Sequence, residues 1–259
     1  MEPELIFPTF SLSGRKALVT GASRGIGRAL ALGLAAAGAR VVLAGREEVS
    51  LAAVKAEIEA LGGWAATLTL DVRDAAGLPG KVDAAAAALG GLDILINNAG
   101  TENVRPSLEV DPALWNDIVD TNLRGAFFCA QAAGRIMAQS GGGAMINVCS
   151  LTSSVGVPTA APYTSSKTGL LGLTRALAAE WARLDIRVNA IAPGYFRTRM
   201  TEIFFQNKDW SRAMLEKIPL GRFGHVQDLI GVTVFLCGDA AAYITGQMIT
   251  VDGGYLASI

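Results

Sequence analysis

Tyr163 and Lys167 stand four residues apart in Tyr163-Thr164-Ser165-Ser166-Lys167, a spacing that puts both side chains on one face of a helix. A free tyrosine titrates near pH ~10 and gives up its proton poorly at neutrality. A cation about 4 Å away favours the phenolate by up to roughly 4 kcal/mol at an effective dielectric of 20. A lysine neighbour is therefore expected to bring the phenol down, and a tyrosine so poised can exchange a proton with a carbonyl or alcohol oxygen. Ser150 precedes Tyr163 by 13 residues and closes an apolar run. Its hydroxyl suits a hydrogen bond to the reacting oxygen, with no need to act as a nucleophile; it equally suits a turn or a cap. Asn122, in Thr121-Asn122-Leu123, fits either a water-holding role beside Lys167 or a polar kink within a long helix.

Other chemistries are excluded by what the chain lacks. Its 259 residues include one histidine, His225, and three cysteines. That rules out most metal sites and any His-based nucleophile triad away from His225. Cys129, Cys149 and Cys237 lie far apart in apolar segments, which reads as buried structural thiols in a reducing compartment. With 22 Lys+Arg against 23 Asp+Glu, the formal net charge is −1, so there is no basic footprint for nucleic acid. The opening MEPELIFPTF is acidic and lacks a signal-peptide pattern, and the hydrophobic runs are too broken to span a bilayer. A cytoplasmic protein acting on a small molecule is the expectation, through Ser, Tyr, Lys, Asp or Glu chemistry or a bound cofactor.

A cofactor site is legible near the N-terminus. The segment Thr20-Gly21-Ala22-Ser23-Arg24-Gly25-Ile26-Gly27 joins a β-branched run to a helical one. Glycines there allow a tight turn and close approach of backbone to a pyrophosphate, and the helix N-terminus offers N–H donors and partial positive charge. Gly21, Ser23, Arg24 and Ile26 are the candidate contacts. An NAD enzyme would carry Asp or Glu at the end of the second strand. Here Ala44 is followed by Gly45-Arg46. Arg46 and Arg24 offer planar donors to a 2′-phosphate, which favours NADP(H) over NAD(H); a solvated helix-start arginine is the alternative for Arg46. Asp71-Val72 fits an adenine contact or a turn cap. Asn98-Ala99-Gly100 fits a ribose and a flat ring, or an ordinary strand-end turn.

Several elements must position these residues. Short β-branched runs at 16–20, 40–44, 65–70, 93–97, 144–149, 187–192 and 249–251 alternate with amphipathic stretches at 25–37, 47–61, 79–89, 112–139, 162–183 and 226–237. This is the pattern of an α/β, doubly wound, Rossmann-type domain over residues 1–259. Its seven-stranded parallel sheet would carry helices on both faces and ligands outside the carboxyl ends of the strands. Residues 196–217, with Phe204, Phe205 and Trp210, are expected to form a substrate lid, whose aromatics either line the pocket or pack the lid down.

Taken together, TGASRGIG, NNAG, the Asn122/Ser150/Tyr163/Lys167 set and Pro193-Gly194 resemble the short-chain dehydrogenase/reductases in order and spacing, from about Leu12 to Val251-Asp252-Gly253-Gly254. The resemblance implies hydride transfer between a nicotinamide and a carbonyl/secondary-alcohol pair. Tyr163 would be the acid/base and Ser150 would orient substrate. Lys167 would lower the tyrosine pKa and bind the nicotinamide ribose, and Asn122 would maintain a proton relay. Pro193 and Gly194 would lie against the nicotinamide, with Thr198 near its carboxamide. A homotetramer built on the long helices and the C-terminal segment is also implied. Phe10-Ser11-Leu12-Ser13-Gly14-Arg15, Asn147-Val148-Cys149-Ser150-Leu151-Thr152-Ser153, Ala161-Pro162-Tyr163-Thr164 and Ala192-Pro193-Gly194-Tyr195-Phe196 are similar to gluconate 5-dehydrogenases, which implies D-gluconate and 5-keto-D-gluconate as substrates. The basic cluster expected after NNAG is replaced by Thr101-Glu102-Asn103-Val104-Arg105-Pro106. Arg105 is the candidate ligand for a substrate carboxylate, or else a surface partner of Glu102. The alternatives are a 3-oxoacyl-carrier-protein reductase or broad ketone reductase, and an inactive NADP-binding sensor or scaffold.

Overall fold

The computed structural model describes residues 9–199 and 201–259. Strands β1 (Lys16–Thr20), β2 (Arg40–Gly45), β3 (Trp64–Thr69), β4 (Ile94–Asn97), β5 (Gly143–Val148), β6 (Ile186–Pro193) and β7 (Met248–Val251) form one sheet. Their order is β3-β2-β1-β4-β5-β6-β7, every pairing being parallel. Alternate side chains serve two cores. Ala17, Val19, Val41, Leu43, Ile94 and Ile96 pack with α1 (Gly25–Ala36), α2 (Glu48–Ala60) and α9 (Ile230–Cys237). Leu18, Val42, Ala44 and Leu95 point the other way, against α3 (Leu78–Leu89), α5 (Gly125–Gln139) and α6 (Ala161–Trp181). Leu18 and Leu95 are fully buried, so truncating either to alanine is expected to cost about 2–5 kcal/mol.

The chain reverses its winding between β1 and β4, where the crossover from β1 goes to β2 on one side while β4 lies on the other. Such a switch point opens a crevice beyond the carboxyl ends of the strands. The registers Val19↔Ile96, Asn97↔Asn147 and Val148↔Ile191 bring the ends of β1, β4, β5 and β6 abreast. Consequently Gly21, Asn98, Ser150 and Gly194 leave the sheet side by side.

Two stretches differ from the sequence reading. The helix expected over 112–139 is divided into α4 (Pro112–Val119) and α5 by a π-helical turn at Asp120–Arg124. Asn122, fully buried at its centre, takes its hydrogen bonds from outside the helix, which opens the ladder there. The segment expected as a lid carries two short helices, α7 (Glu202–Phe205) and α8 (Lys208–Glu216). Asn207 caps α8 by accepting from the N–H groups of Asp209 and Trp210 at 3.1 and 3.0 Å.

Candidate active site

The turn after β1 and the turn after β4 are built as one unit. Thr20 Oγ1 accepts the N–H groups of Asn98 and Ala99, both at 3.1 Å. Asn98 Nδ2 donates to the carbonyls of Thr20 and Gly21, at 2.9 and 3.1 Å. Gly21 adopts φ 65°, and a Cβ there would come within 2.9 Å of Ala99 Cα, so only glycine fits. A Cβ on Gly27 would run into the Gly21 carbonyl. Helix α1 then begins with no side-chain cap from Arg24 and no acid in its first turn. Its first amides are left as donors for an anion.

These donors face a cavity of about 560 Å3 that runs from Arg46 to Trp210, a volume within the range of small-molecule and cofactor sites. Gly21, Ser23, Arg24 and Ile26 line one end. Arg46, Asp71 and Val72 extend that end, with Asn98, Ala99 and Gly100 on its floor. Arg24 and Arg46 are exposed and form no ion pair with any described residue. Glu47, the first acid after β2, accepts from its own helix through Ser50 Oγ at 3.0 Å. The group anticipated from the sequence thus fits: uncapped amides and two arginines without ion-pair partners suit a phosphorylated dinucleotide.

Asp71 has a partner of its own. Arg73 binds it at 2.7 Å and reaches Asp117 at 2.8 Å. Hydrogen bonding from Arg73 holds the Asp71 carboxyl below its ordinary range against a smaller opposing effect of burial, and the Arg46 charge adds to the fall. The expected adenine contact would therefore use a carboxylate already shared with Arg73.

At the other end of the cavity, Tyr163 and Lys167 project from one face of α6, and Ser150 projects from the turn after β5. Lys167 Nζ lies 5.7 Å from the Tyr163 ring centroid and donates to the Val148 carbonyl at 2.7 Å. Lys167 is not among the groups that shift the phenol in this arrangement. Burial pushes Tyr163 above its ordinary value, the charges of Glu102 and Cys149 add to the rise, and the Ser150 hydroxyl opposes it. Lys167 is itself lowered by burial, with Cys149 and Glu102 opposing. Its ammonium makes one hydrogen bond, to the Val148 carbonyl, and none to the phenol. Burial also pushes the Cys149 thiol up to about 11.

Asn122 does not line the cavity. It sits behind it, accepting from Thr101 N–H at 2.8 Å and donating to Thr101 C=O and Ser166 Oγ at 2.9 and 3.1 Å. Of the two sequence options, the polar kink is the one seen here: the π-helical turn aims Asn122 at the strand-end loop. A Cβ on Gly100 would lie 3.3 Å from Asn122 Oδ1 and 3.6 Å from Lys167 Nζ, so the loop approaches both side chains closely. Pro193, Gly194 and Thr198 line the cavity as anticipated.

Arg105 does not line it. Its guanidinium faces Asp111 at 3.6 Å, and its backbone N–H donates to Thr159 O at 2.8 Å. The expected carboxylate ligand is thus turned outward, and its expected partner Glu102 is turned inward, into the cavity. Two residues of one loop point opposite ways because the backbone pairing with Thr159 fixes the loop edge. The aromatics of 196–217 serve both proposed uses. Phe204 and Trp210 line the cavity, while Phe205 and Phe223 pack Trp210 from behind, with Trp210 and Phe223 stacked at 6.3 Å.

Sequence reasoning passed over Arg73, Tyr195 and Arg199, all of which line the cavity. Arg73 could have been found two residues beyond Asp71; no local pattern marks the other two. Among the described residues, no group of three or more His, Cys, Asp or Glu side chains could hold a metal ion. No helix among them is long and apolar enough to cross a membrane.

Residues 21–256 match a family model described as Enoyl-(Acyl carrier protein) reductase. A gluconate 5-dehydrogenase of Gluconobacter oxydans (strain 621H) is 42% identical, covering 96% of this chain and 98% of that relative. A candidate short-chain alcohol dehydrogenase from Sinorhizobium meliloti 1021 superposes with a TM-score of 0.95 at 64% identity, over 97% of this chain and all of that one. The crystal structure of a gluconate 5-dehydrogenase from Burkholderia cenocepacia J2315, in complex with NADP and tartrate, superposes with a TM-score of 0.94 at 38% identity, over 96% of this chain and 98% of that one.

Proposed function

As the chain belongs to the short-chain dehydrogenase/reductase family, we propose that it is an NADP(H)-dependent oxidoreductase interconverting a secondary alcohol and its ketone in a sugar acid or related polyol. The observation that carries this reading is the single cavity in which Ser150, Tyr163 and Lys167 face a glycine-lined cradle flanked by Arg24 and Arg46. Arg46, with no acid between it and β2, supports the 2′-phosphorylated cofactor. The NADP complex of the Burkholderia cenocepacia relative is in keeping with this choice.

NADP(H) supplies the hydride donor or acceptor when bound. Gly21, Ser23, Arg24 and Ile26 would hold its pyrophosphate side, and Arg46 the 2′-phosphate. Asp71 and Val72 would border the adenine. Asn98, Ala99, Gly100, Pro193, Gly194 and Thr198 would surround the ribose and nicotinamide. Tyr163 takes the hydroxyl proton when the alcohol is oxidised and returns it to the carbonyl oxygen on reduction. Ser150 hydrogen-bonds that same oxygen. Lys167 orients the cofactor ribose and carries positive charge beside the phenol. Asn122 acts from behind by fixing the Thr101 loop. A homotetramer and a cytoplasmic setting belong to the same proposal; the three buried free cysteines support a reducing compartment.

Nicotinamide absorbance tests the reading. The protein is mixed with NADP+ or NADPH and a panel of D-gluconate, 5-keto-D-gluconate, neutral polyols and an acetoacetyl thioester. Turnover of the hydroxylated compounds is expected. A clear preference for the thioester, or no turnover of any compound, would overturn it.

A further inference from the structure

Glu102 lines the reacting end of the cavity, half-buried, and makes no hydrogen bond or ion pair with any described residue. Burial raises its carboxyl above the ordinary range, and the one cation that acts on it is Lys167. That cation is already engaged with Val148 O. The arginines of the cavity do not offset Glu102: Arg24 and Arg46 belong to the glycine-loop end, Arg73 is held by Asp71 and Asp117, and Arg199, exposed at the rim, is not among the charges that act on the Glu102 carboxyl. Arg105, which could have neutralised it from the same loop, faces Asp111 instead. The substrate end therefore has a carboxylate acceptor beside Tyr163 and an aromatic wall of Tyr195, Phe204 and Trp210. Tyr195 and Phe204 both pack on Trp210, with centroids 5.4 and 5.6 Å away.

An unpaired carboxylate in a low-dielectric cavity accepts hydroxyl donors strongly and repels a second carboxylate. An aromatic wall covers the C–H face of a carbon chain whose hydroxyls turn to such an acceptor. Accepting the oxidoreductase reading above, we propose that Glu102 is a specificity-determining residue that binds substrate hydroxyls and selects an uncharged polyol/ketose pair over the corresponding sugar acid. It does so by accepting hydroxyl hydrogen bonds near the reacting carbon and by repelling an anionic end group.

D-Glucitol and D-gluconate form a matched probe pair, differing only in a CH2OH or a carboxylate at one end. With NADP+, the wild-type protein is expected to show the higher kcat/KM for D-glucitol. Glu102→Gln keeps the shape and removes the charge. It should move the glucitol/gluconate ratio toward gluconate by about tenfold or more, the change that ~1.4 kcal/mol of lost repulsion produces. Glu102→Leu removes the acceptor as well, so its glucitol activity should fall further than that of Glu102→Gln. NADPH binding by protein fluorescence confirms that each variant is folded. A wild-type preference for gluconate, or a ratio unchanged in Glu102→Gln, would overturn the proposal while leaving the oxidoreductase reading standing. Turnover of neither compound, with NADPH-dependent reduction of an acetoacetyl thioester, would overturn both this proposal and the sugar-acid or polyol substrate on which it rests.

Discussion

Asn122 pairs with Thr101 as one strand pairs with another, its Oδ1 accepting the Thr101 N–H at 2.8 Å and its Nδ2 donating to the Thr101 C=O at 2.9 Å. The π-helical turn at Asp120–Arg124 is the local cost of this arrangement, and its result is a loop fixed from behind at the residue just before Glu102. The same Nδ2 also reaches Ser166 Oγ, one residue from Lys167. One buried amide therefore links the loop after β4 to the helix that carries Tyr163 and Lys167.

Replacing Asn122 by alanine leaves the Thr101 N–H and C=O and the Ser166 hydroxyl short of a partner. Each unmatched buried group costs about 1–3 kcal/mol, and the loop can recover part of this by moving. A stability loss of about 2–3 kcal/mol is expected in denaturant unfolding, together with a raised KM as the Glu102 loop loosens. Stability and KM both at wild-type values would show that the pairing holds nothing in place.

Tyr163→Phe removes the one hydroxyl proposed to move a proton and leaves the ring in place. Turnover should fall by about 100- to 10,000-fold, the usual worth of a positioned acid/base. NADPH affinity, measured by fluorescence titration, should change little, because the glycine-loop end of the cavity is untouched. Near-wild-type kcat in this variant would remove Tyr163 from the mechanism.

Most of the scaffold could be read because each element had to satisfy its own local chemistry. The β-branched runs 16–20 and 93–97, the glycines of the first turn and the Tyr-x-x-x-Lys spacing are local, and each lies where its pattern implied. Side-chain direction in the loops was not legible in the same way. Arg105 and Glu102 are three residues apart, and no periodicity in Thr101–Pro106 says which faces the cavity. That is decided by distant partners, the Thr159 carbonyl and Asp111. Nor could the sequence reveal that Lys167 would turn to Val148 O, since that carbonyl comes from a strand 19 residues away. Helices α7 and α8 escaped notice because four and nine residues are too short for a clear helical period.

Arg46→Asp tests the cofactor assignment by placing an acid where ribose hydroxyls would be bound and a 2′-phosphate repelled. The ratio of kcat/KM for NADP+ over NAD+ should fall by about 10- to 100-fold, in line with losing a charge-assisted contact of about 1.5–3 kcal/mol. Arg24 remains in place and should preserve some preference, so Arg24→Ala added to Arg46→Asp should lower the ratio further. A cofactor ratio unchanged in both variants would assign these arginines to the solvated surface.

Glu102 also predicts a pH effect of definite sign. The groups that act on the Tyr163 phenol are Glu102 and Cys149, which raise it, and the Ser150 hydroxyl, which lowers it, while burial is the largest cause of the rise. Alcohol oxidation needs the phenolate, so its rate climbs as pH rises through the tyrosine pKa. Ketone reduction needs the phenol, so its rate falls over the same range. Removing the negative charge in Glu102→Gln eases ionisation of Tyr163, and both limbs should move to lower pH. Glu102→Asp keeps the charge and should leave them closer to wild type than Glu102→Gln does. Profiles of kcat/KM measured in both directions with one neutral substrate check this, because no substrate charge titrates alongside the enzyme. Limbs that stay put in Glu102→Gln, or move upward, would show that the carboxylate does not act on the acid/base.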